Sequence, residues 1–456
     1  MGRNFVKSFK FWGRVLMLIA SGYLLFPVQA LPLPQGGQVV SGDSSITQTG
    51  TQMTITQTTD KSIINWQGYS IDLNEIVRYI QPGTNSISLN RVVGIDPSVI
   101  LGQLIANGQV WIINPNGILF GKDAVINVSG LLTTTLNIKD TDFLSGKYEF
   151  TQDKNSALSS IINQGKIIIN DNGYAILVAP LVSNEGLIIA NLGKVVIGGA
   201  ENFVVNFDGT GLINFTIPKT DQAPGTVLIP TGQVTNIIRE IVNTPGLIEA
   251  GSIIEENGKT YLVGTSGTAI NAGKIEAKDG EVVVKGQQAG VLSSGSSIDA
   301  SSGKFELSGK TFLLNGSISA SNIHIDPENV LIAEGSGSEP NTVYEDDIEA
   351  SLNSGTNVTI EAWNSIVMMN FTTPGDEGID ASGSGSITLK ITNDDGDNSG
   401  TISFADQNDY ISIAGNITLD ALTNATVNGS LQNIGKLTTT SGNINLLASN
   451  NIELLN

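Results

Sequence analysis

The stretch Val110–Phe120 reads VWIINPNGILF, and its pattern fixes the local fold. Two apolar runs, of the kind that form buried strands, flank the turn residues Asn114-Pro115-Asn116-Gly117. Asn at the first position of a turn, Pro at the second and Gly at the fourth are the preferences of a type I β-turn. Asn can hydrogen-bond its own backbone, and Pro restricts its φ angle in advance. The stretch therefore predicts a strand, a tight turn and a second strand.

Short apolar runs recur along the whole chain behind glycine turns, and several of them carry an Ile-x-Ala unit. These units are Ile188/Ala190, Ile248/Ala250, Ile275/Ala277, Ile298/Ala300 and Ile318/Ala320. The steps between their alanines are 60, 27, 23 and 20 residues, and the first is close to three steps of twenty. A repeat of about 20–30 residues is typical of a solenoid, and Ile, Val and Thr alternating with polar residues are typical of strands. We therefore predict an all-β, right-handed parallel β-helix, in which inward apolar side chains stack into one core.

The ends of such a helix need protection, because unpaired strand edges invite aggregation. The segment Gly36–Asp60 is rich in Thr, Gln and Ser, and we expect it to cap the N-terminal end. A row of β-sandwich domains is the alternative all-β arrangement. The recurrence near twenty residues and the lack of Pro-rich linkers favour the solenoid.

The first thirty residues have the organisation of a secretory signal. Four basic residues and no acid precede or flank an apolar stretch that ends at Phe26, and Val28-Gln29-Ala30 provides a small-residue cleavage site. A membrane anchor is the competing interpretation. The apolar stretch is shorter than the roughly 20 residues a span needs, and Pro27 follows it. We predict a signal peptide over residues 1–30.

Composition excludes several classes of function. The chain has no cysteine, which removes disulfides, thiol catalysis and thiolate metal sites. Beyond residue 30, 19 basic residues face 43 acidic ones, a net charge of −24. Such an acidic chain is a poor electrostatic partner for nucleic acid or anionic lipid, so we expect no nucleic-acid partner.

An ordered set of motifs extends outward from the turn. It comprises Asn65-Trp66-Gln67, Asn90-Arg91-Val92-Val93-Gly94, Asn114-Pro115-Asn116-Gly117-Ile118, Val128-Ser129-Gly130-Leu131, Leu177-Val178-Ala179-Pro180 and Phe207-Asp208-Gly209. The set resembles the secretion domain of two-partner secretion exoproteins, which are the filamentous haemagglutinin-like proteins. The resemblance covers roughly residues 35–330, and the remainder is similar only in architecture.

This resemblance implies a function and a partner. In the family, periplasmic domains of a separate outer-membrane β-barrel transporter recognise the N-terminal domain, which then folds outside the cell. It implies secretion via the periplasm of a Gram-negative-type bacterium, and a role as a surface or released adhesin or haemagglutinin that meets a receptor or glycan on a host or neighbouring cell. The residues expected to serve transporter recognition are Asn90, Arg91, Gly94, Asn114, Pro115, Asn116, Gly117 and Ile118. Direct contact and the setting of turns for the first coils both remain open as their role.

The pattern divides the chain into four regions. After the signal, residues 31–240 form the secretion domain, also described as a haemagglutination activity domain. Residues 241–330 should be regular rungs, and residues 331–456 a continued but shifted solenoid. No cap is evident at Asn451–Asn456, so we expect a truncated exoprotein or a short family member.

The candidates for chemistry are few. The one histidine, His324, sits on an alternating strand, where it should face solvent or pack on a neighbouring rung. Glu249, Glu276 and Asp299 occupy equivalent positions and could form an outward carboxylate ladder, either a glycosidase pair or a cation site. The loop Asn393–Asn398 could bind Ca²⁺ but is better explained as a solvated turn. We expect no enzyme activity, no cofactor and no metal; the alternative is a secreted β-helix enzyme acting on polysaccharide.

Overall fold

The computed structural model describes ten segments of the chain, all within one compact unit, Leu31–Asn456. They are residues 33–153, 157–207, 213–217, 226–230, 253–256, 259–374, 377–392, 399–406, 408–421 and 428–454. The predicted signal peptide, Glu249 and the loop Asn393–Asn398 lie outside the described residues.

The chain coils into a parallel β-helix with three walls, which confirms the predicted fold class. Wall A contains β3 (Gln52–Gln57), β5 (Ile76–Ile80), β8 (Gln103–Ala106), the first halves of β11 (Val125–Thr134) and β14 (Lys166–Ala179), β16 (Leu187–Ile189), β24 (Lys274–Glu276), the first halves of β27 (Ser297–Ser308) and β29 (Ser317–Asp326), and then β34 (Gly378–Ala381), β37 (Tyr410–Ile413) and β40 (Lys436–Thr439). The long strands bend and continue into the next wall.

Walls B and C complete each coil. Wall B contains β4 (Lys61–Trp66), β6 (Ile87–Val92), β9 (Gln109–Ile113), the second halves of β11, β14, β27 and β29, and β17 (Lys194–Gly199), β25 (Glu281–Gly286), β32 (Asn357–Ala362), β35 (Ile387–Ile391), β38 (Ile417–Ala421) and β41 (Ile444–Ala448). Wall C contains β7 (Ser98–Ile100), β10 (Ile118–Phe120), β13 (Ser160–Asn163), β15 (Leu181–Asn184), β23 (Thr268–Asn271), β26 (Ala289–Leu292), β28 (Thr311–Leu314), β30 (Asn329–Ala333), β31 (Thr342–Tyr344), β33 (Ser365–Met368), β36 (Ser399–Phe404), β39 (Asn428–Ile434) and β42 (Asn451–Leu454).

The Ile-x-Ala units stack as the repeat predicted, with one exception. Ile188, Ile275, Ile298 and Ile318 pair in succession along wall A and extend one continuous apolar core. Because Ile188 pairs directly with Ile275, no rung built on Ile248 stands between them. The 60-residue step is an insertion between two rungs, not three rungs of twenty.

The region predicted as regular rungs from residue 241 therefore needs correction. Its first described part is β21 (Ile253–Glu256) and β22 (Lys259–Thr265). β22 pairs antiparallel with β21 on one side and with β20 (Thr226–Pro230) on the other, in a small sheet separate from the walls. Regular rungs resume only at Thr268, where β23 pairs with β15 in wall C.

The N-terminal segment caps the coil, as predicted. β1 (Gln38–Ser41) runs antiparallel to β4, and β2 (Ser44–Thr49) forms a hairpin with β3. These antiparallel strands occupy the first edges of walls A and B, so those edges are not left open for pairing with another chain.

A second apolar cluster lies on the outer face of wall B. It is built by α1 (Asp140–Ser145), β12 (Tyr148–Thr151), β18 (Asn202–Phe207) and β19 (Ile213–Thr216), and the three strands form a small antiparallel sheet. Trp111 is completely buried beneath it, in edge contact with Phe143 and Tyr148. The early rungs of wall B are thus covered on both faces, and strands such as β9 and the second half of β14 read there as nearly continuous apolar runs.

The second helix, α2 (Glu345–Asn353), interrupts wall A between β29 and β34. Across the described residues, neither helix is long and apolar enough to span a bilayer.

Candidate functional site

The predicted turn exists and is tied to the preceding coil. The Gly117 N–H donates to the Asn114 carbonyl at 3.1 Å, and the Asn116 N–H donates to Asn114 Oδ1 at 2.9 Å. Asn114 is fully buried, and its Nδ2 donates to the Asp96 carbonyl and to Ser98 Oγ, each at 3.0 Å. The side chain therefore closes its own turn and also anchors the coil below.

The two central motifs meet at one corner between walls B and C. Asn116 Nδ2 donates to the carbonyl of Gly94 at 2.9 Å, which stacks the turn at Asn114–Gly117 on the turn after Val92. A side chain at Gly94 would meet the Gln67 carbonyl oxygen 1.9 Å from its Cβ, so this close approach requires glycine. Gly117 has φ +107°, which other residues rarely adopt. We call Gly94–Ser98 together with Asn114–Gly117 the motif corner.

Asn90 lies inside the core, where it joins two aromatic side chains to the backbone of the next rung. Its Oδ1 accepts from Trp66 Nε1 at 3.0 Å and from the Tyr79 hydroxyl at 2.8 Å, and its Nδ2 donates to the Trp111 carbonyl at 3.3 Å. The Tyr79 hydroxyl also lies 2.9 Å from that of Tyr69. Burial raises the pKa of Tyr79 well above its ordinary value, so it stays a neutral donor.

Arg91, the next residue, points to the opposite face of the same strand. Its guanidinium donates to Asn137 Oδ1 at 3.0 Å, to the Ile138 carbonyl at 2.7 Å and to Asp140 Oδ1 at 2.7 Å. These bonds fasten the segment before α1 onto wall B. Asn90 and Arg91 thus hold the two faces of one strand. Asn90 lies in the core, and Arg91 lies against α1 and the small antiparallel sheet on the outer face of wall B, which we call the cover.

The remaining predicted residues have packing roles. Ile118 is buried on β10, between Ser98 and Ile161 of the neighbouring rungs, and Pro115 is half-buried in the turn. The sequence interpretation missed Val93, directly before the motif corner, and Ile95 within it, which are 50% and 88% exposed. Polar or turn-forming residues are expected at exposed turn positions. The two apolar residues in this turn could therefore have pointed to the exposed surface in the sequence.

The carboxylate candidates form ordinary surface ion pairs. Glu276 and Asp299 are aligned on neighbouring rungs, but Lys274 lies 2.7 Å from Glu276 and Lys278 lies 3.8 Å from Asp299. His324 packs against a neighbouring rung, with Nε2 3.3 Å from Glu361. Throughout the described segments, no group of three or more His, Asp or Glu side chains converges to hold a metal ion.

The three-walled coil, its N-terminal cap and the motif corner define a secretion-domain β-helix. The family model of the TPS secretion domain, TPS standing for two-partner secretion, matches residues 30–277. The chain therefore belongs to the two-partner secretion domain family. That membership implies passage across the outer membrane of a Gram-negative bacterium and a cognate outer-membrane transporter as partner.

Two curated relatives share this region. One, a heme/hemopexin-binding protein of Haemophilus influenzae strain Rd, is 32% identical over 269 residues, which is 56% of this chain and 27% of the relative. Another heme/hemopexin-binding protein of Haemophilus influenzae is 39% identical over 120 residues, 26% of this chain and 13% of the relative. The chain thus spans at most about a quarter of the length of these relatives.

Solved structures of secretion domains are also similar. The HMW1 secretion domain from Haemophilus influenzae has 22% identity and a TM-score of 0.49, covering 92% of this chain and 100% of that one. The filamentous hemagglutinin secretion domain has 12% identity and a TM-score of 0.30, covering 91% and 100%.

Proposed function

We propose that the chain is a secreted exoprotein whose motif corner serves export by building the first coils, not by presenting its side chains to the transporter. The observation that carries this proposal is the use of every polar motif side chain within the fold. Asn90 and Asn114 are fully buried, and Arg91 and Asn116 are held by internal hydrogen bonds.

The transporter would then engage the chain before these residues are buried. An extended segment can add to a partner's sheet edge, where main-chain hydrogen bonds supply the affinity. Once outside, the turn at Asn114 and the contact of Asn116 with Gly94 would fix the register of neighbouring coils. Val93 and Ile95 remain exposed in the folded corner and provide the contrasting surface for a test.

The export step is tested by expressing the full chain with and without its cognate transporter and measuring the extracellular protein. We expect extracellular protein only when the transporter is present. Equal export without it would contradict the proposed route, whereas periplasmic accumulation without it would support the route.

Outside the cell, we propose a non-enzymatic role as a surface or released adhesin or haemagglutinin that meets a receptor or glycan. The aligned carboxylates, engaged with lysines, support binding over hydrolysis. The purified chain should bind to or agglutinate target cells and leave polysaccharides intact. Release of reducing ends from a polysaccharide panel would instead favour the enzyme alternative.

A second candidate, binding of a haem-carrying protein, is supported by the names of the two relatives, both heme/hemopexin-binding proteins. Direct ligation of haem iron is less well supported, because the one histidine in the chain, His324, lies against Glu361. Capture of haem-loaded hemopexin by the purified chain, equal for wild type and His324→Gln, would support protein recognition. Absence of capture would remove this candidate.

A further inference from the structure

Wall A has a gap on one side of β29. The segment Ser317–Ala320 pairs with Ser297–Ala300 of β27, but the next strand along, β32, pairs only from Asn322 onward. Across the described segments, no strand pairs with the other side of Ser317–Ala320. Beyond α2, wall A continues with β34. The end of α2 contacts β34 directly, since the Ser382 N–H after that strand donates to Asn353 Oδ1 at 2.9 Å.

The gap leaves main-chain groups free to pair. The Ser317 N–H donates to the Ser296 carbonyl, so the alternate residues Ile318 and Ala320 direct their N–H and C=O groups toward the gap. The Ala320 carbonyl accepts from Thr356 Oγ1 at 2.6 Å. The Ile318 N–H, the Ile318 carbonyl and the Ala320 N–H have no hydrogen-bond partner among the described residues.

Two adjoining cavities lie between this edge and α2. The larger, about 430 Å³, is lined largely by hydroxyl groups, among them Ser302, Ser319 and Ser354. The smaller, about 250 Å³, is lined mainly by apolar residues that include Ile348 and Val343. Ile318 and Ala350 border both cavities. The gap thus offers a strand edge, an apolar pocket toward the core and a polar surface toward solvent.

We propose that this gap binds an extended segment of a separate polypeptide, which adds to Ser317–Ala320 as the missing strand of wall A. Strand addition satisfies the free N–H and C=O groups and places alternate side chains in the apolar pocket. The stacks of Ile298 on Ile318 and Ala300 on Ala320 show which side chains fit the next register, so an Ile-x-Ala pattern is expected. This inference is independent of the export role.

The shape of the gap favours a single extended chain as its occupant. The free edge is four residues long and faces α2 across the two cavities, so its length suits one short strand better than the edge of a folded sheet. Every described strand of this chain already pairs with a neighbouring strand, so a second copy offers no free single strand among them for this edge.

The test uses the full chain and a fluorescent peptide of residues 295–302, GSSIDASS, with a scrambled peptide as control. We expect saturable anisotropy with a dissociation constant between about 10 µM and 1 mM, the range of weak short-peptide binding. Ala350→Arg, which fills both cavities, should weaken binding by at least about tenfold, since an arginine occupies the peptide's path. Asp346→Arg places the same side chain on exposed α2 surface outside the cavities and should bind normally.

A second variant separates binding from folding. Thr356→Val removes the hydroxyl that occupies the Ala320 carbonyl, so the peptide should bind at least as tightly as to wild type. Unfolding curves identify any variant that has lost its fold. Equal binding by wild type and Ala350→Arg, equal binding of the scrambled peptide, or dimerisation of the chain through this edge would overturn the proposal.

Discussion

Asn90 belongs to the motif that the sequence analysis assigned to transporter recognition, but its side chain is fully buried in the core. Its amide links Trp66, Tyr79 and the backbone of the next rung within an otherwise apolar core. Buried polar groups that keep their partners rigidify a core, whereas the loss of one partner leaves the others unsatisfied.

Replacing Asn90 should therefore reduce the stability of the folded chain. Asn90→Ala should lower the free energy of unfolding by about 2–4 kcal/mol, because it leaves an indole N–H and a phenol without their acceptor. Denaturant unfolding measures the change. Asn85→Ala, at an exposed position two residues before β6, should stay within about 0.5 kcal/mol of wild type. Similar values for the two variants would show that the buried network is unimportant.

A charged cluster on the outer face of wall B makes stability depend on pH. Lys285 lies 3.0 Å from Glu306, and His324 lies 3.3 Å from Glu361. Burial, with Glu361 nearby, raises the pKa of Asp326 to about 6. Burial opposes protonation of His324, but the hydrogen bond to Glu361 and the neighbouring carboxylates raise its pKa above the ordinary value. The pKa of Glu306 is lowered: burial opposes ionisation, but Lys285 outweighs it.

These pKa shifts determine how the stability of the chain changes with pH. Asp326 binds its proton more tightly in the folded state, so its contribution to stability is greatest below its ordinary pKa and is lost as pH rises through about 6. The melting temperature should therefore rise as pH falls from 7.5 to about 5, before loss of the Glu306 charge reverses the trend. Asp326→Asn should be more stable than wild type at pH 7.5, by about 1–2 kcal/mol, with a flatter profile. The exposed control Asp123→Asn should keep the wild-type slope; a wild-type slope in Asp326→Asn would contradict the assignment.

At the scale of elements, the sequence predicted the rungs better than the insertions. Stacking of Ile275, Ile298 and Ile318 followed from their spacing, because each rung repeats one strand pattern. The cover on wall B did not follow, since its parts, Asp140–Thr151, Asn202–Phe207 and Ile213–Thr216, are distant in sequence and meet only after folding. The contacts of Arg91 depend on that cover and the burial of Asn90 depends on the core, so neither was predictable from local pattern.

The contacts between Arg91 and the cover predict how its replacement affects stability. Arg91→Met should release the segment before α1 and destabilise the protein by about 1–2 kcal/mol, because its charge-assisted bonds to Asp140 and Ile138 are lost. Hydrogen exchange should accelerate in residues 137–151 and remain slow in wall A. Arg78→Met, on wall A, serves as the matched control. Uniform acceleration throughout the coil would show that Arg91 supports the core instead.

On the scale of the whole molecule, the turn at Asn114–Gly117 helps to fix the first coils, and the later rungs stack on them. The cap closes walls A and B, the motif corner locks the next coils in register, and later rungs need only repeat the stack. The turn at Asn114 was predictable from five residues. Its contact with Gly94 was not, because the register between coils sets it.

The most direct test compares secretion of two double variants in a strain that carries the cognate transporter. Asn114→Ala/Asn116→Ala removes the bonds that lock the corner and leaves its exposed surface intact. Val93→Thr/Ile95→Thr changes that surface and leaves the bonds intact. We predict a sharp fall in extracellular protein for the first and near wild-type secretion for the second. Unchanged secretion of the first, or a loss confined to the second, would contradict the account.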